Sequence, residues 1–172
     1  MDKKSVKTVK HSVRDRAFQS SFYPLDQPPL PEAGRLIEFY NLWNALRGDN
    51  KIPSRNQINF ESLKGWHSHI RLVDLKTGSA EPKKIVILGE AHKQYWGTDT
   101  LFNQLTDMNK PNCDAMKKYE ECLNCFLDYN YSFNVGVAPN ENASYQNIMW
   151  IDLPLSTDGD KITHVIRALI PQ

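Results

Sequence analysis

Residues able to do acid–base or ligand chemistry are sparse in this sequence and stand in small, separate groups. His92 lies two positions after Glu90, at the end of the run Ile85-Val86-Ile87-Leu88 and beside Tyr95 and Trp96. A histidine or carboxylate in an enclosed pocket can serve as a general base, and a histidine facing a haem can be its axial ligand. The plainer role for His92 is a hydrogen bond at the edge of a fold. His67 and His69 straddle one residue, so on a strand both rings would share a side, as a metal pair requires. No third ligand stands nearby, so they read as surface or edge histidines and no metal is expected. Cys122 and Cys125 form a C-x-x-C late in a predicted helix, without the second ligand pair of a zinc site. With Cys113 they are expected to be thiols.

No catalytic constellation emerges. The eight glycines are never closer than eight positions, which excludes the P-loop and the dinucleotide fingerprint, and neither G-x-S-x-G nor H-E-x-x-H occurs. Binding candidates are aromatic and apolar: Trp96, Phe102, Tyr119, Leu123, Tyr131, Phe133 and Trp150, with His92, would line a cavity if helices cover the aromatic face of a sheet. The same side chains fill an ordinary core equally well, each contributing about 2–3 kcal/mol by buried area. The phenols of Tyr119 and Tyr131 are the more informative, since a buried hydroxyl needs a partner and can orient a polar ligand.

The elements that must position these residues follow from periodicity. Residues 1–30 read as a basic, proline-containing flexible tail. Val6, Val9 and Val13 recur at helical spacing among Lys7, Lys10 and Arg14, and Pro28-Pro29 leads into the fold. Residues 31–172 form the expected single domain. Leu36, Ile37, Phe39, Tyr40, Trp43 and Leu46 mark an amphipathic helix over 32–47, with Pro31 in its first turn and Gly48 at its stop. Ile70–Leu75 and Lys84–Ala91 predict a hairpin, and residues between 97 and 111 short helical pieces. Asn112 is placed to cap a helix in which Met116, Tyr119, Leu123, Phe126 and Leu127 share a side. Tyr129, Tyr131, Phe133, Val135 and Val137 then alternate with small or polar residues in the period of two that marks a strand. Gln146–Leu155 and Lys161–Ile170, joined through Asp158-Gly159, complete a meander.

Composition narrows the class of function. The chain has 172 residues and formal net charge +1; residues 1–20 carry six basic and two acidic side chains, leaving 15 basic and 18 acidic for the rest. A mildly acidic body lacks the field that draws nucleic acid, so no nucleic-acid partner is expected. No run approaches the roughly 20 apolar residues of a membrane span. The lysines at the start are followed by no apolar leader segment, and a cytoplasmic location is expected.

The order of helix, two strands, short helices, longer helix and three strands suits an α+β domain and resembles a PAS domain. The resemblance sharpens at Phe39-Tyr40-Asn41-Leu42-Trp43-Asn44-Ala45-Leu46-Arg47-Gly48, at Pro53-Ser54-Arg55 and at Leu153-Pro154-Leu155-Ser156-Thr157-Asp158-Gly159, which are similar to a bacterial, mainly alphaproteobacterial, family of small PAS-like proteins. The sequence departs from that pattern at Asn59 and Phe60, and carries Gly89 and Glu90 where a glycine and a hydroxyl are expected. The resemblance implies a five-stranded antiparallel sheet with helices on one face and an N-terminal amphipathic helix. It further implies a stand-alone, non-enzymatic sensory or regulatory module that binds a small ligand or a signalling protein. A homodimer through Leu36, Phe39, Tyr40 and Trp43 is a further expectation. The cysteine-containing flavin-attachment motif of light-sensing PAS proteins is not seen, and His92 alone does not specify haem, so the cofactor is unassigned. The alternative is a cone-shaped α+β enzyme in which His92 or Glu90 transfers a proton.

Overall fold

Strict alternation from residue 130 to residue 137 marks a strand inside the sheet, paired on both sides by antiparallel neighbours. The computed structural model describes residues 4–13, 16–79, 83–97 and 114–172. Among these the strands are β1 (Lys7–Val13), β2 (Arg16–Pro24), β3 (Ile70–Asp74), β4 (Lys84–Leu88), β5 (Asn130–Val137), β6 (Asn147–Leu155) and β7 (His164–Pro171). All neighbours are antiparallel, in the order β1-β2-β5-β6-β7-β3-β4. The helices are α1 (Leu36–Arg47), α2 (Glu90–Trp96) and α3 (Asp114–Leu127). None of the described helices is long and apolar enough to cross a membrane.

The sheet has seven strands, not the expected five, and helices cover both of its faces, not one. The two extra strands come from the segment read as a tail. Val6, Val9 and Val13 fit a helical spacing, but β-branched residues favour extended backbone, and Phe18, Ser20 and Phe22 alternate with Gln19, Ser21 and Tyr23. The β1–β2 hairpin runs from Lys7↔Phe22 to Val13↔Arg16 and docks on β5 from Phe18↔Gly136 to Pro24↔Asn130. Gly136 is required here because a Cβ at that position would run into the Phe18 ring. Lys7 pairs with Glu121 of α3 at 2.5 Å, and Lys118 Nζ donates to the Lys10 carbonyl at 2.7 Å, so the hairpin also seats that helix.

Helix α1 covers one face. Leu36, Phe39, Tyr40 and Trp43 are all buried, together with Ile70, Leu72, Tyr131, Ile151, Leu153, Ile166 and Ala168 of the sheet. Each such side chain contributes about 1.5–3 kcal/mol by burial. This corrects the expected dimer surface: the four residues proposed to meet a second chain face their own sheet. The helix begins at Leu36 and not at residue 32, because Pro31–Ala33 forms a separate 3-10 turn ended by Gly34 at φ 53°. Its stop at Gly48 is as expected, again at positive φ (54°).

The three segments that carry the family resemblance meet at the end of α1. Trp43 Nε1 donates to the Pro154 carbonyl at 2.8 Å, Arg55 N donates to the Ser156 carbonyl at 2.6 Å, and Gln57 Nε2 donates to the Leu46 carbonyl at 2.8 Å. Asp158 Oδ1 accepts from the backbone N–H groups of Asp160 and Lys161 and from the Ser156 hydroxyl. These bonds hold its carboxyl down to about 2. The hydrogen bonds lock the three segments together.

On the second face sit α2 and α3. The strand expected to run to Ala91 ends at Leu88, and Glu90–Trp96 is helical. Gly89 is the junction: a Cβ there would lie 2.5 Å from the Ser68 carbonyl oxygen. The expected short helices between 97 and 111, and the cap Asn112, lie outside the described residues apart from Gly97.

Candidate functional site

Residue parity along the strands decides which side chains face α3. Tyr131 stacks at 5.5 Å on Tyr23 and packs at 5.4 Å against Tyr40 of α1, so its strand neighbours Ser132 and Asn134 point the other way. On that second face lies a cavity of about 140 Å³. Its floor is sheet: Ser20 and Phe22 of β2, Ser132 and Asn134 of β5, Trp150 and Asp152 of β6, Val165 and Arg167 of β7, and Arg71 and Val73 of β3. Trp96 of α2 and Cys122, Leu123 and Phe126 of α3 border it, with Leu75 beyond β3, and it is open to solvent on one side. The volume is close to that of an apolar cavity that admits a benzene-sized molecule, and below the few hundred Å³ typical of pockets for larger ligands.

Across the middle of the floor runs a row of four polar residues in register, Ser132↔Asp152↔Arg167↔Arg71. Arg167 grips Asp152 with two bonds, Nε to Oδ1 at 2.7 Å and Nη2 to Oδ2 at 3.0 Å. Ser132 Oγ donates to Asp152 Oδ2 at 3.0 Å, and Asn134 Nδ2 reaches the same oxygen at 3.3 Å. The carboxylate therefore takes four donors and has little capacity for a fifth. Donors remain in surplus: Arg167 Nη1 and the indole Nε1 atoms of Trp96 and Trp150 are buried without a hydrogen-bond partner. The Arg167 guanidinium lies 5.2 Å from the Trp96 ring and 5.0 Å from the Trp150 ring, within range for cation–π attraction.

Of the eight residues read as ligand-binding, Trp96, Leu123 and Trp150 line this cavity. Tyr131 and Phe133 do not. They lie on the face covered by α1, because the helices of the cavity cover the small side of the β5 alternation and not its aromatic side. Burial holds the Tyr131 phenol well above its ordinary range, and its hydroxyl has no partner. Phe102 and the side chain of Tyr119 lie outside the described residues. His92 is fully buried in the first turn of α2 but is not among the residues lining the cavity. Glu90 is exposed and pairs with Lys93 at 3.1 Å. The two residues considered for proton transfer are thus both away from the pocket.

His67 Nε2 lies 2.7 Å from the Phe60 carbonyl and its ring stacks on Phe60 at 4.0 Å, while His69 Nδ1 lies 3.0 Å from the Leu169 carbonyl. Each is engaged separately, and among the described residues no three histidine, cysteine or acidic groups are placed to hold a metal ion. Cys122 and Cys125 are free thiols one helical turn apart, with burial pushing the Cys122 thiol up to about 11. That leaves it protonated and a poor nucleophile at neutral pH.

His92 carries a different consequence. Burial first, then repulsion by Arg71 and Arg167, hold it well below the usual histidine value, and a favourable contribution from the His69 backbone does not reverse this. Neither ring nitrogen makes a hydrogen bond of ordinary geometry. His11 and His164 are also lowered, chiefly by burial. The unfolded chain takes up these protons near pH 6.5 while the folded chain resists them. Stability is therefore complete above that pH and falls as the pH drops below it, by up to about 1.4 kcal/mol per pH unit for the fully buried ring. Urea unfolding between pH 7.5 and 5 should show this loss, and His92→Leu should make it shallower. An unchanged slope would contradict the assignment.

In comparisons with known proteins, the chain matches no family model, no curated protein and no solved structure. The functional reading therefore stands on the site itself.

Proposed function

We propose that this protein is a stand-alone, non-enzymatic binding module that takes a small molecule into the cavity between α3 and the sheet. This is a sensory or regulatory role of the kind the PAS-like resemblance implies. The observation that carries the reading is a cavity, open on one side, that sets a polar floor of Ser132, Asp152 and Arg167 among apolar walls. A protein that needed only stability would fill that space, because close packing and apolar contacts favour it and a void costs contacts. The proton-transfer alternative loses its motive, since Glu90 is solvent-exposed and His92 does not line the pocket.

The test is native mass spectrometry of the full chain purified without denaturation, beside a Leu123→Trp variant whose larger side chain occupies the cavity. The expected result is a bound small-molecule mass on the wild type that is absent from the variant, with the far-ultraviolet circular dichroism of the two alike. Wild-type protein that carries no added mass, and whose melting temperature no small acid or neutral compound raises, would overturn the reading.

A further inference from the structure

The charged residues of the cavity floor are all engaged within the protein. Asp152 and Arg167 hold each other through two bonds, and Ser132 and Asn134 occupy Asp152 further. Arg71, the other charged residue among the described lining, also has a partner. An ion entering from water would give up its hydration without meeting an unengaged counter-charge. What the wall has to spare is neutral hydrogen-bonding capacity. The indole Nε1 atoms of Trp96 and Trp150, and Nη1 of Arg167, are buried and form no hydrogen bond. Trp96 and Trp150 are only 9% and 1% exposed, so water does not serve these N–H groups in place of a protein acceptor. The two rings meet edge-on at 5.5 Å and the Arg167 guanidinium lies against both, so the three donors belong to one contiguous stretch of the wall. Folding desolvates each of them with no bond in return.

We infer that the cavity receives a small uncharged carbonyl compound with an apolar body, its oxygen held by the N–H groups of the Trp96–Arg167–Trp150 wall; the inference rests on the binding role proposed above. A ketone or ester oxygen has two lone pairs and brings no donor of its own, so it supplies what this wall lacks and adds nothing that must be satisfied elsewhere. A carboxylate would supply acceptors as well, but its charge would lie beside the ionised Asp152 and face arginines already engaged. The apolar body follows from Val73 and Val165, paired side by side on β3 and β7, and from Leu123 and Phe126 of α3. At about 140 Å³ the space suits one ring or a short chain.

The experiment is isothermal titration calorimetry of the dialysed full chain with three one-ring compounds of nearly equal size: acetophenone, benzoate and ethylbenzene. Acetophenone should bind about ten-fold or more tightly than benzoate, and at least as tightly as ethylbenzene although its oxygen must first be desolvated. Trp96→Phe and Trp150→Phe each keep an aromatic ring and remove one donor. At least one of them should weaken acetophenone about five-fold or more while changing ethylbenzene less than two-fold, and Leu123→Trp should abolish binding of both. Benzoate bound as tightly as acetophenone, or wild-type acetophenone affinity in both tryptophan variants, would overturn the carbonyl inference while leaving the cavity a binding site. Binding of none of the three would overturn the inference as well. The binding role itself then falls only if the purified protein also carries no ligand mass and no compound raises its melting temperature.

Discussion

Asp152→Ala is expected to lower the unfolding free energy by about 3–5 kcal/mol, the usual cost of stranding one member of a buried ion pair. The side chains of Asp152 and Arg167 are only 11% and 12% exposed, so water cannot solvate the guanidinium once its partner is gone. Ser132 loses its acceptor in the same step, and Asn134 loses one of three. Against a total stability of roughly 5–15 kcal/mol for an ordinary domain, that loss leaves a measurable unfolded fraction. Urea denaturation followed by tryptophan fluorescence reads it directly, because Trp96 and Trp150 flank Arg167. Asp152→Leu combined with Arg167→Met removes both charges and should recover most of the stability, since an apolar pair of similar volume packs without the desolvation cost. A loss below about 1 kcal/mol for Asp152→Ala would mean that the pair is hydrated. Recovery in the double variant also bears on function. If Leu and Met serve folding as well as Asp and Arg, then the charges are retained for what they hold, and the double variant should lose any small-molecule mass that the wild type carries.

Much of the sheet was legible because its signals are local. Period-two alternation marked β5, and the Asp158-Gly159 step joined β6 to β7 as expected. The N-terminal hairpin was not legible: three valines at intervals of three and four satisfy a helix as well as a strand, and only pairing with β5 decides between them. β4 ends at Leu88 and a helix starts at Glu90, in keeping with the helix preference of Glu90 and Ala91; the strand expected to run to Ala91 overlooked that preference. The close approach of Gly89 to the Ser68 carbonyl, which turns the chain there, is a tertiary fact. For the site, alternation told which residues of β5 share a side, but not which helix covers it. With both faces covered, the aromatic side of β5 faces α1 and the small side faces the cavity, so Tyr131 and Phe133 lie away from the cavity that Trp96, Leu123 and Trp150 line. Ser132, Asp152, Arg167 and Arg71 were missed, though a signal was present. Asp152 interrupts Ile151 and Leu153, and Arg167 interrupts Ile166 and Ala168, in two consecutive strands of opposite direction. Opposite charges in the middle of adjacent apolar strands are a pattern that sequence reading can test.

Trp43→Ala is expected to be the other severe variant, losing about 3–5 kcal/mol as a large buried ring is replaced by a cavity. Trp43 is 1% exposed and joins two kinds of interaction: its ring packs against Tyr40 at 5.8 Å, and its indole N–H binds the Pro154 carbonyl 111 residues away. Trp43→Phe separates them by keeping an aromatic ring and removing the donor, with an expected loss of about 1–3 kcal/mol. If Phe costs as much as Ala, ring volume is unimportant and the hydrogen bond holds α1 to β6. If Phe costs nothing, packing alone does so. The two arms also ask whether α1 and the cavity are coupled, since Pro154 is two residues from Asp152 on β6. Asp152 is fixed by Ser132, Asn134 and Arg167, none of which contacts α1 through a hydrogen bond. Trp43→Phe should therefore leave the bound small-molecule mass on the purified protein as it is in the wild type, because the lock at the end of α1 and the polar row lie on opposite faces of the sheet.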